Sequence, residues 1–582
     1  MYTNLPTYRI IIALLKKFNI RHLVLSAGSR NVPFVHSVEE DPFFTCYSVV
    51  DERSAAYFAM GLSQELQEPV LISCTASTAS SNYWPAIGEA FYQGTPIVIL
   101  TSDRNPSRLH QWEDQMIDQV GMFDRHVRKS VNLPIINDDD DWIYCERLVN
   151  EALLELNHNG SGPVHINVPM KDYCMSFDEN TLPNVRKISR YKIIEDNEQC
   201  KALAKKLSNA KRILVTCGQQ QYQSEVLNNQ LSTFFKKYNA AICVEHMSNV
   251  NCDGSIQAGI CTDVRYMPIK NFGKYIPDIV ISYGHNIFSG IKQQLLSNCG
   301  KFEHWSIQPD GTVVDMYNSL TTIFECNAID FFKYMNEECT NEKNDCEYYS
   351  QLKELENDVK FPDFPFSSTY AIKNVVENLP ANSRLHMAIN NSIRIPNFFK
   401  IDPSVKSYAN IGTYGIDGCL SSIVGQAVAT KELCYLIIGD LAFFYDMNAL
   451  RIKHVGKNIR ILMVNNEGGG EFYYNGSWVN KSSDLHTTAR HATKAEGWVK
   501  ENNFIYLSAH DKASFEEAMK IFMSTDSDKS IFFEVFTEMS KDSEVVHSIY
   551  GLSKHKDAVL EMKKIAGKIV PRSIISTIKK IK

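Results

Sequence analysis

The chain has 582 residues, more than a single core of ordinary size organises, and about three domains are expected. Its content of 44% hydrophobic and 22% charged residues is that of a globular protein, and a net charge of −7 argues against a nucleic-acid or anionic-membrane partner. No apolar run nears the ~18 residues a membrane helix needs, and the 15 cysteines show no C-x-x-C or zinc spacing, so they read as reduced thiols of a cytoplasmic protein.

The opening stretch MYTNLPTYRIIIALLKKFNIRH interleaves charges with apolar positions and has no small-residue cleavage site, which predicts an amphipathic helix and not a signal peptide. HLVLSAG, PVLISCTAS and TPIVILTSD follow, with helical stretches such as DERSAAYFAMGLSQEL between them. Alternation of this kind is the signature of a parallel sheet covered by helices. NDDDD at 137–141 reads as a solvated helix start, where carboxylates suit the N-terminal dipole. The first segment closes near GPVHINVPM. A second begins after the basic stretch NVRKISRYKIIEDNEQ, with KRILVTCG, AAICVEH and DIVISYGH as its strands. The third follows the charged connection NEECTNEKNDCEYYSQLKELENDVKFPDFPF and holds RLHMAINN, CYLIIGD, IRILMVNN and KSIFFEVF. The expected division is 1–185, 186–350 and 351–582, each an α/β unit.

Two strand ends of the third segment carry chemistry. Asp440 follows Gly439 after a buried apolar run, and Asn466 lies twenty-six positions later, ahead of three glycines at 468–470. Phe443, Met447 and Leu450 fall on one helical face between them, so the unit reads strand–helix–strand. A right-handed crossover then sets Gly439–Asp440 beside Asn465–Gly470 at the carboxyl edge of the sheet, where open α/β sheets bind ligands. A carboxylate, an amide oxygen and the carbonyl of Gly468 are hard ligands suited to Mg²⁺ (or Mn²⁺), and the N–H groups of a glycine loop suit phosphates. Three glycines are expected where something approaches the backbone closely. Taken alone, the same dipeptides also read as tight turns closing two core strands.

The GDL…NNEGGG pair resembles the diphosphate-binding motif of thiamine-diphosphate enzymes. SAGSRNVP, DERSAAYFAMGL, TSDRNP, DQMIDQVGMF and GIDGCLSS together are similar to the MenD family of these enzymes, densely in the first and third segments and faintly in the second. The resemblance implies three doubly wound parallel-sheet domains (Pyr, central and PP), with thiamine diphosphate and Mg²⁺ bound between two subunits of a homodimer or homotetramer. Glu52 of one chain would act on the pyrimidine. Gly439, Asp440, Leu441, Asn466, Gly468 and Ser392 of the other would hold the diphosphate and metal, and Ile416 would wedge the cofactor into its bent form. A carboxylate bonded to N1′ favours the imino tautomer, whose nitrogen can remove the C2 proton. In the family the arginines of GSR and DR and the glutamine before IDQ line the active site; here they are Arg30, Arg104 and Gln115. Taken alone, Glu52 also reads as an acid in a first helical turn, Ile416 as core packing, and the arginines as surface or interface ion pairs.

Departures from the family pattern gather on the substrate side. Ile411 stands where the family motif before GIDG has an arginine, and the family's N-S-x-x-x-R arginine is displaced to Arg394, two residues after Ser392. Glu471, ahead of Phe472, replaces an apolar residue; Ser77 replaces a glycine and Ala27 a proline. Arg394, Glu471 and Phe472 therefore join the candidate substrate contacts. Glu471 would repel an anion unless paired with Arg394, and such a pair would occupy the one arginine that could substitute for the missing one. The implied activity is decarboxylation of a 2-oxoacid with transfer of the enamine to an acceptor through a rewritten pocket. The alternatives are authentic 2-oxoglutarate- and isochorismate-using synthesis in the menaquinone pathway, a simple non-oxidative 2-oxoacid decarboxylase, or a non-enzymatic binding module. The last would require a broken Glu52, Asp440 or Asn466, and none is broken.

Overall fold

The computed structural model describes residues 1–171, 175–189, 198–221, 223–264, 272–339, 344–474 and 485–550. It contains three six-stranded sheets, parallel throughout. The first comprises β1 (His22–Leu25), β2 (Thr45–Ser48), β3 (Val70–Cys74), β4 (Ile97–Asp103), β5 (Lys129–Asn132) and β6 (Val164–Pro169), in the order β2-β1-β3-β4-β6-β5. The second comprises β7 (Ile213–Cys217), β8 (Ala240–Val244), β9 (Ser255–Gln257), β10 (Ile279–Tyr283), β11 (Glu303–Ile307) and β12 (Leu320–Phe324), in the order β12-β11-β10-β7-β8-β9. The third comprises β13 (Arg384–Met387), β14 (Lys406–Ala409), β15 (Cys434–Gly439), β16 (Ile459–Asn465), β17 (Ile505–Ala509) and β18 (Ile531–Phe536), in the order β14-β13-β15-β16-β18-β17.

Counted within each sheet, the first and third orders are the same. Both reverse direction between their first and third strands, the kind of place where open α/β sheets bind ligands. β3, β4 and β16 are buried along their whole length, as expected of parallel strands covered on both faces. The opening helix spans Pro6–Lys17. NDDDD starts a helix as expected: Asp138 caps Asp139–Glu155 by accepting from Asp141 N at 2.9 Å. The connection between the second and third sheets carries a helix, Glu347–Asn357, whose Tyr348, Leu352 and Leu355 pack into the core of the second sheet. No helix among the described residues is long and apolar enough to cross a membrane, and the described cysteines are free thiols.

The first and third sheets share one core, in which Tyr47, Phe58 and Ile72 meet Leu420, Ile423, Ile438 and Phe443. The contact is made by the helices Glu52–Leu66 and Cys419–Ala429. A Cβ on Gly61 would lie 1.9 Å from Ser422 O, and one on Gly425 would lie 2.1 Å from Phe58 O, so both glycines are required for the approach. At the edge of this contact, Glu65, its side chain 4% exposed, accepts from Arg384 Nε at 2.9 Å and from the Tyr408 hydroxyl at 2.7 Å. The two chemistry-bearing sheets are thereby fixed relative to one another.

Candidate active site

Register places the third-sheet motifs together. Gly439 pairs with Val464 across β15 and β16, so Asp440 is level with Asn465 and just below Asn466. Asp440, 2% exposed, opens the helix Asp440–Asp446. Its Oδ2 accepts from Asn466 N at 3.1 Å and Gly468 N at 3.0 Å, and its Oδ1 accepts from Leu441 N at 2.6 Å. The carboxylate thus holds the glycine loop onto the neighbouring strand end. A Cβ on Gly439 would meet nothing within 4 Å, which leaves the backbone beside Asp440 open to a ligand.

The three glycines have a second reason that the sequence does not show. Gly468 has φ +147°, and a Cβ there would lie 2.7 Å from Thr488 O; one on Gly470 would lie 2.9 Å from Asn466 Nδ2. The segment after 485 crosses over this loop, with Gly469 N donating to Thr488 O at 2.7 Å and His491 N to Glu467 O at 3.2 Å. His491 Nε2 comes within 3.3 Å of Asp440 Oδ2, and that contact raises the imidazole above its ordinary pKa. Buried Asp542 also escaped sequence reasoning. It accepts from Asn466 Nδ2 at 3.2 Å, and it is itself held by Thr537 Oγ1 at 2.6 Å and Ser368 N at 2.7 Å. With the amide nitrogen committed to Asp542, the atom Asn466 has to offer is its oxygen, the one a hard cation needs. Asp440, the Asn466 amide oxygen and the Gly468 carbonyl are therefore a donor set that fits Mg²⁺, and the open backbone at Gly439 fits a diphosphate.

Glu52 and Ile416 take equivalent places in the two related sheets, each on the connection from the second strand to the third. Glu52 is the first residue of its helix, capped by Asp51, whose carboxylate accepts from Ser54 N at 3.2 Å. Burial pushes the Glu52 carboxyl above the usual range, and the Asp51 charge adds to this. Ile416 is half-buried against the shared core. Among the described residues no hydrogen bond or ion pair links Glu52 to Asp440, Asn466 or Gly468.

On the first sheet, Arg30 follows β1 and Arg104 follows β4. They line one cavity of about 350 Å³ together with Asp103, Arg108, Glu113 and Lys171. Arg30 donates to Gln115 Oε1 at 2.9 Å, so all three residues expected here are brought together. Arg104 is shared with Glu113 at 3.2 Å and Asp114 at 3.1 Å. A buried relay missed by motif reading runs beneath them. Gln119 accepts from Ser77 N at 2.7 Å and donates to Asn167 Oδ1 at 3.0 Å; Asn167 donates to Asp103 Oδ2 at 2.9 Å, and Asp103 accepts from Arg104 N at 2.7 Å. Ser77 has φ +74°, a conformation that favours glycine and strains a serine.

Ile411, 4% exposed, is part of the apolar core. Ser392, 7% exposed, and Arg394 lie on the short helix Asn391–Arg394 after β13. Arg394 pairs with Glu471 through two parallel bonds, Nη1 to Oε2 at 2.7 Å and Nη2 to Oε1 at 3.0 Å, while Nη1 also donates to Asn391 Oδ1 at 2.6 Å. Phe472, beside Glu471, is 41% exposed.

The family model "Thiamine pyrophosphate enzyme, N-terminal TPP binding domain" matches residues 7–122. Three curated proteins named 2-succinyl-5-enolpyruvyl-6-hydroxy-3-cyclohexene-1-carboxylate synthase are similar over nearly the whole chain. The protein from Bacteroides fragilis is 37% identical over 573 residues, covering 94% of this chain and 99% of its own. That from Phocaeicola vulgatus is 36% identical over 579 residues, with 96% and 100% covered. That from Bacteroides thetaiotaomicron is 35% identical over 566 residues, also with 96% and 100% covered.

Proposed function

This chain belongs to the MenD family of thiamine-diphosphate enzymes, and we propose that it decarboxylates a 2-oxoacid and joins the remaining fragment to an acceptor by a new carbon–carbon bond. The observation that carries the reading is the Asp440–Asn466–Gly468 arrangement, a hard-oxygen donor set beside an open backbone at the carboxyl ends of two adjacent parallel strands. Bound thiamine diphosphate supplies the carbon nucleophile and the sink for the electrons released with CO₂.

The chain's own residues do the rest. Asp440, the Asn466 amide oxygen and the Gly468 carbonyl would hold the divalent cation, with Ser392, Gly439 and Leu441 bordering the diphosphate. Asp542 would keep the Asn466 amide in the orientation the metal needs. Glu52 would share a proton with the pyrimidine ring nitrogen, a role suited to a carboxyl whose partial burial favours the protonated form. Ile416 would shape the cofactor by bulk. Arg30, Arg104 and Gln115 would receive the substrate carboxylate, since four cationic and two acidic side chains line that cavity. We assign Glu52 and Asp440 of one site to different subunits, which makes the protein a homodimer or homotetramer, and we place it in the cytoplasm.

The test is CO₂ release from a panel of 2-oxoacids with purified protein, thiamine diphosphate and Mg²⁺. Release that requires both additions, with a ligated product when an acceptor is present, is expected. Release without them, or none from any 2-oxoacid, would reject the assignment.

A further inference from the structure

β15, which carries Asp440, lies between β13 and β16. Arg394 follows β13 and Glu471 follows β16, so their ion pair bridges the loops on either side of the strand end that bears the metal-binding carboxylate. The two parallel bonds are the geometry in which an arginine grips a carboxylate, and here the carboxylate is the protein's own.

At the position where the family motif has an arginine, this chain offers an anion no charge. Ile411 is buried in the apolar core. Asp263, from the domain built on the second sheet, adds a further acidic group within electrostatic reach of Arg394. Tyr414, close enough to feel both charges of the pair, stacks on Phe288 with ring centroids 6.1 Å apart and planes 10° from parallel. Beside the diphosphate cradle, Arg394 is thus engaged by Glu471 and flanked by the Tyr414–Phe288 stack, while the segment that crosses the glycine loop brings Arg490 to Gly468 and His491 to Asp440. Four further cationic side chains, Arg30 and Arg104 among them, line the first-domain cavity, which in the proposed assembly would come from the other subunit.

Building on the function proposed above, we infer that Glu471 is a specificity residue: it occupies Arg394 so that the pocket takes a 2-oxoacid whose distal end is uncharged, and rejects one that ends in a second carboxylate. The 2-oxoacid carboxylate itself goes to the arginine-lined wall, and the distal end meets the Arg394–Glu471 pair and the Tyr414–Phe288 stack. An anion at that end would have to displace Glu471 from Arg394 and so break both of their parallel charge-assisted bonds.

The matched donors 2-oxopentanoate and 2-oxoglutarate differ only in the terminal carboxylate. With thiamine diphosphate and Mg²⁺ present, kcat/KM for CO₂ release by the wild type should favour 2-oxopentanoate at least tenfold. Glu471→Gln should move the ratio at least tenfold toward 2-oxoglutarate, mainly through KM, and Glu471→Gln combined with Arg394→Gln should remove that gain. Calorimetric titration of the cofactor-loaded protein with pentanoate and glutarate reads the same preference without turnover. Glutarate should bind Glu471→Gln at least tenfold more tightly than wild type, with no such change for pentanoate. A wild type that prefers 2-oxoglutarate, or a Glu471→Gln protein with an unchanged glutarate affinity, would overturn the inference. If no 2-oxoacid is decarboxylated, the enzymatic assignment fails, and the titration still decides the role of Glu471.

Discussion

Glu89 offers a direct test of how the first sheet holds the loop that leads to Ile416. It is fully buried in the helix Trp84–Gln93, yet its carboxylate serves the third sheet. Oε1 accepts from Gly412 N at 2.8 Å, and Oε2 accepts from Thr413 N at 2.6 Å and Thr413 Oγ1 at 2.5 Å. Glu89→Ala leaves two backbone donors without their charged acceptor. A hydrogen bond to a charged group contributes about 1.5–3 kcal/mol, so losing two should weaken the loop by at least about 3 kcal/mol. At about 1.4 kcal/mol per tenfold, amide exchange at Gly412 and Thr413 should accelerate about a hundredfold, if the loop opens locally. Hydrogen–deuterium exchange of peptides covering residues 408–416 measures this, with peptides from β7 and β10 as an internal reference. Glu89→Gln, which keeps one acceptor oxygen, should fall between wild type and alanine. Acceleration below about threefold in the alanine variant would refute the argument, because the N–H groups would then have found other partners at no cost.

Asp440→Ala should abolish saturable binding of thiamine diphosphate and Mg²⁺ in a calorimetric titration, whereas Glu52→Gln should bind the cofactor and lose most turnover; equal cofactor affinity in wild type and Asp440→Ala would contradict the metal assignment. Mixing the inactive Glu52→Gln and Asp440→Ala proteins should restore some CO₂ release, because one site of a mixed dimer carries both intact halves. Lack of recovery after demonstrated subunit exchange would place the site within one chain. His165, bonded to Thr101 at 2.8 Å and Ser130 at 3.1 Å, is pushed down by burial to about 3. Its folded form stays neutral where the unfolded form takes up a proton, so its contribution is full above pH 6.5 and is lost as pH falls toward 3, at about 1.4 kcal/mol per pH unit. His165→Gln should therefore reduce the loss of stability between pH 7 and pH 5 by about 2 kcal/mol in urea titrations, and an unchanged pH dependence would show that the ring titrates in the folded protein.

The chemistry of the two strand ends was legible in short stretches of the chain. Buried apolar runs ending in Gly439–Asp440 and Asn465–Asn466 identify strand ends, and a crossover of one hand then sets them side by side, as the register of β15 and β16 confirms. The parallel α/β class was legible for the same reason, since strand and helix periodicities are properties of short stretches. What joins distant stretches had to come from the tertiary structure. Asp542 is 76 positions from the Asn466 it orients, Glu89 is 323 from Gly412, and the crossing segment that requires glycine at 468 lies near Thr488. Arg394 and Glu471 were each visible as unusual residues, but no spacing rule pairs positions 77 apart. They meet because β13 and β16 flank β15, so the loops leaving them converge over Asp440, and the direction of two side chains there depends on packing that no local propensity encodes.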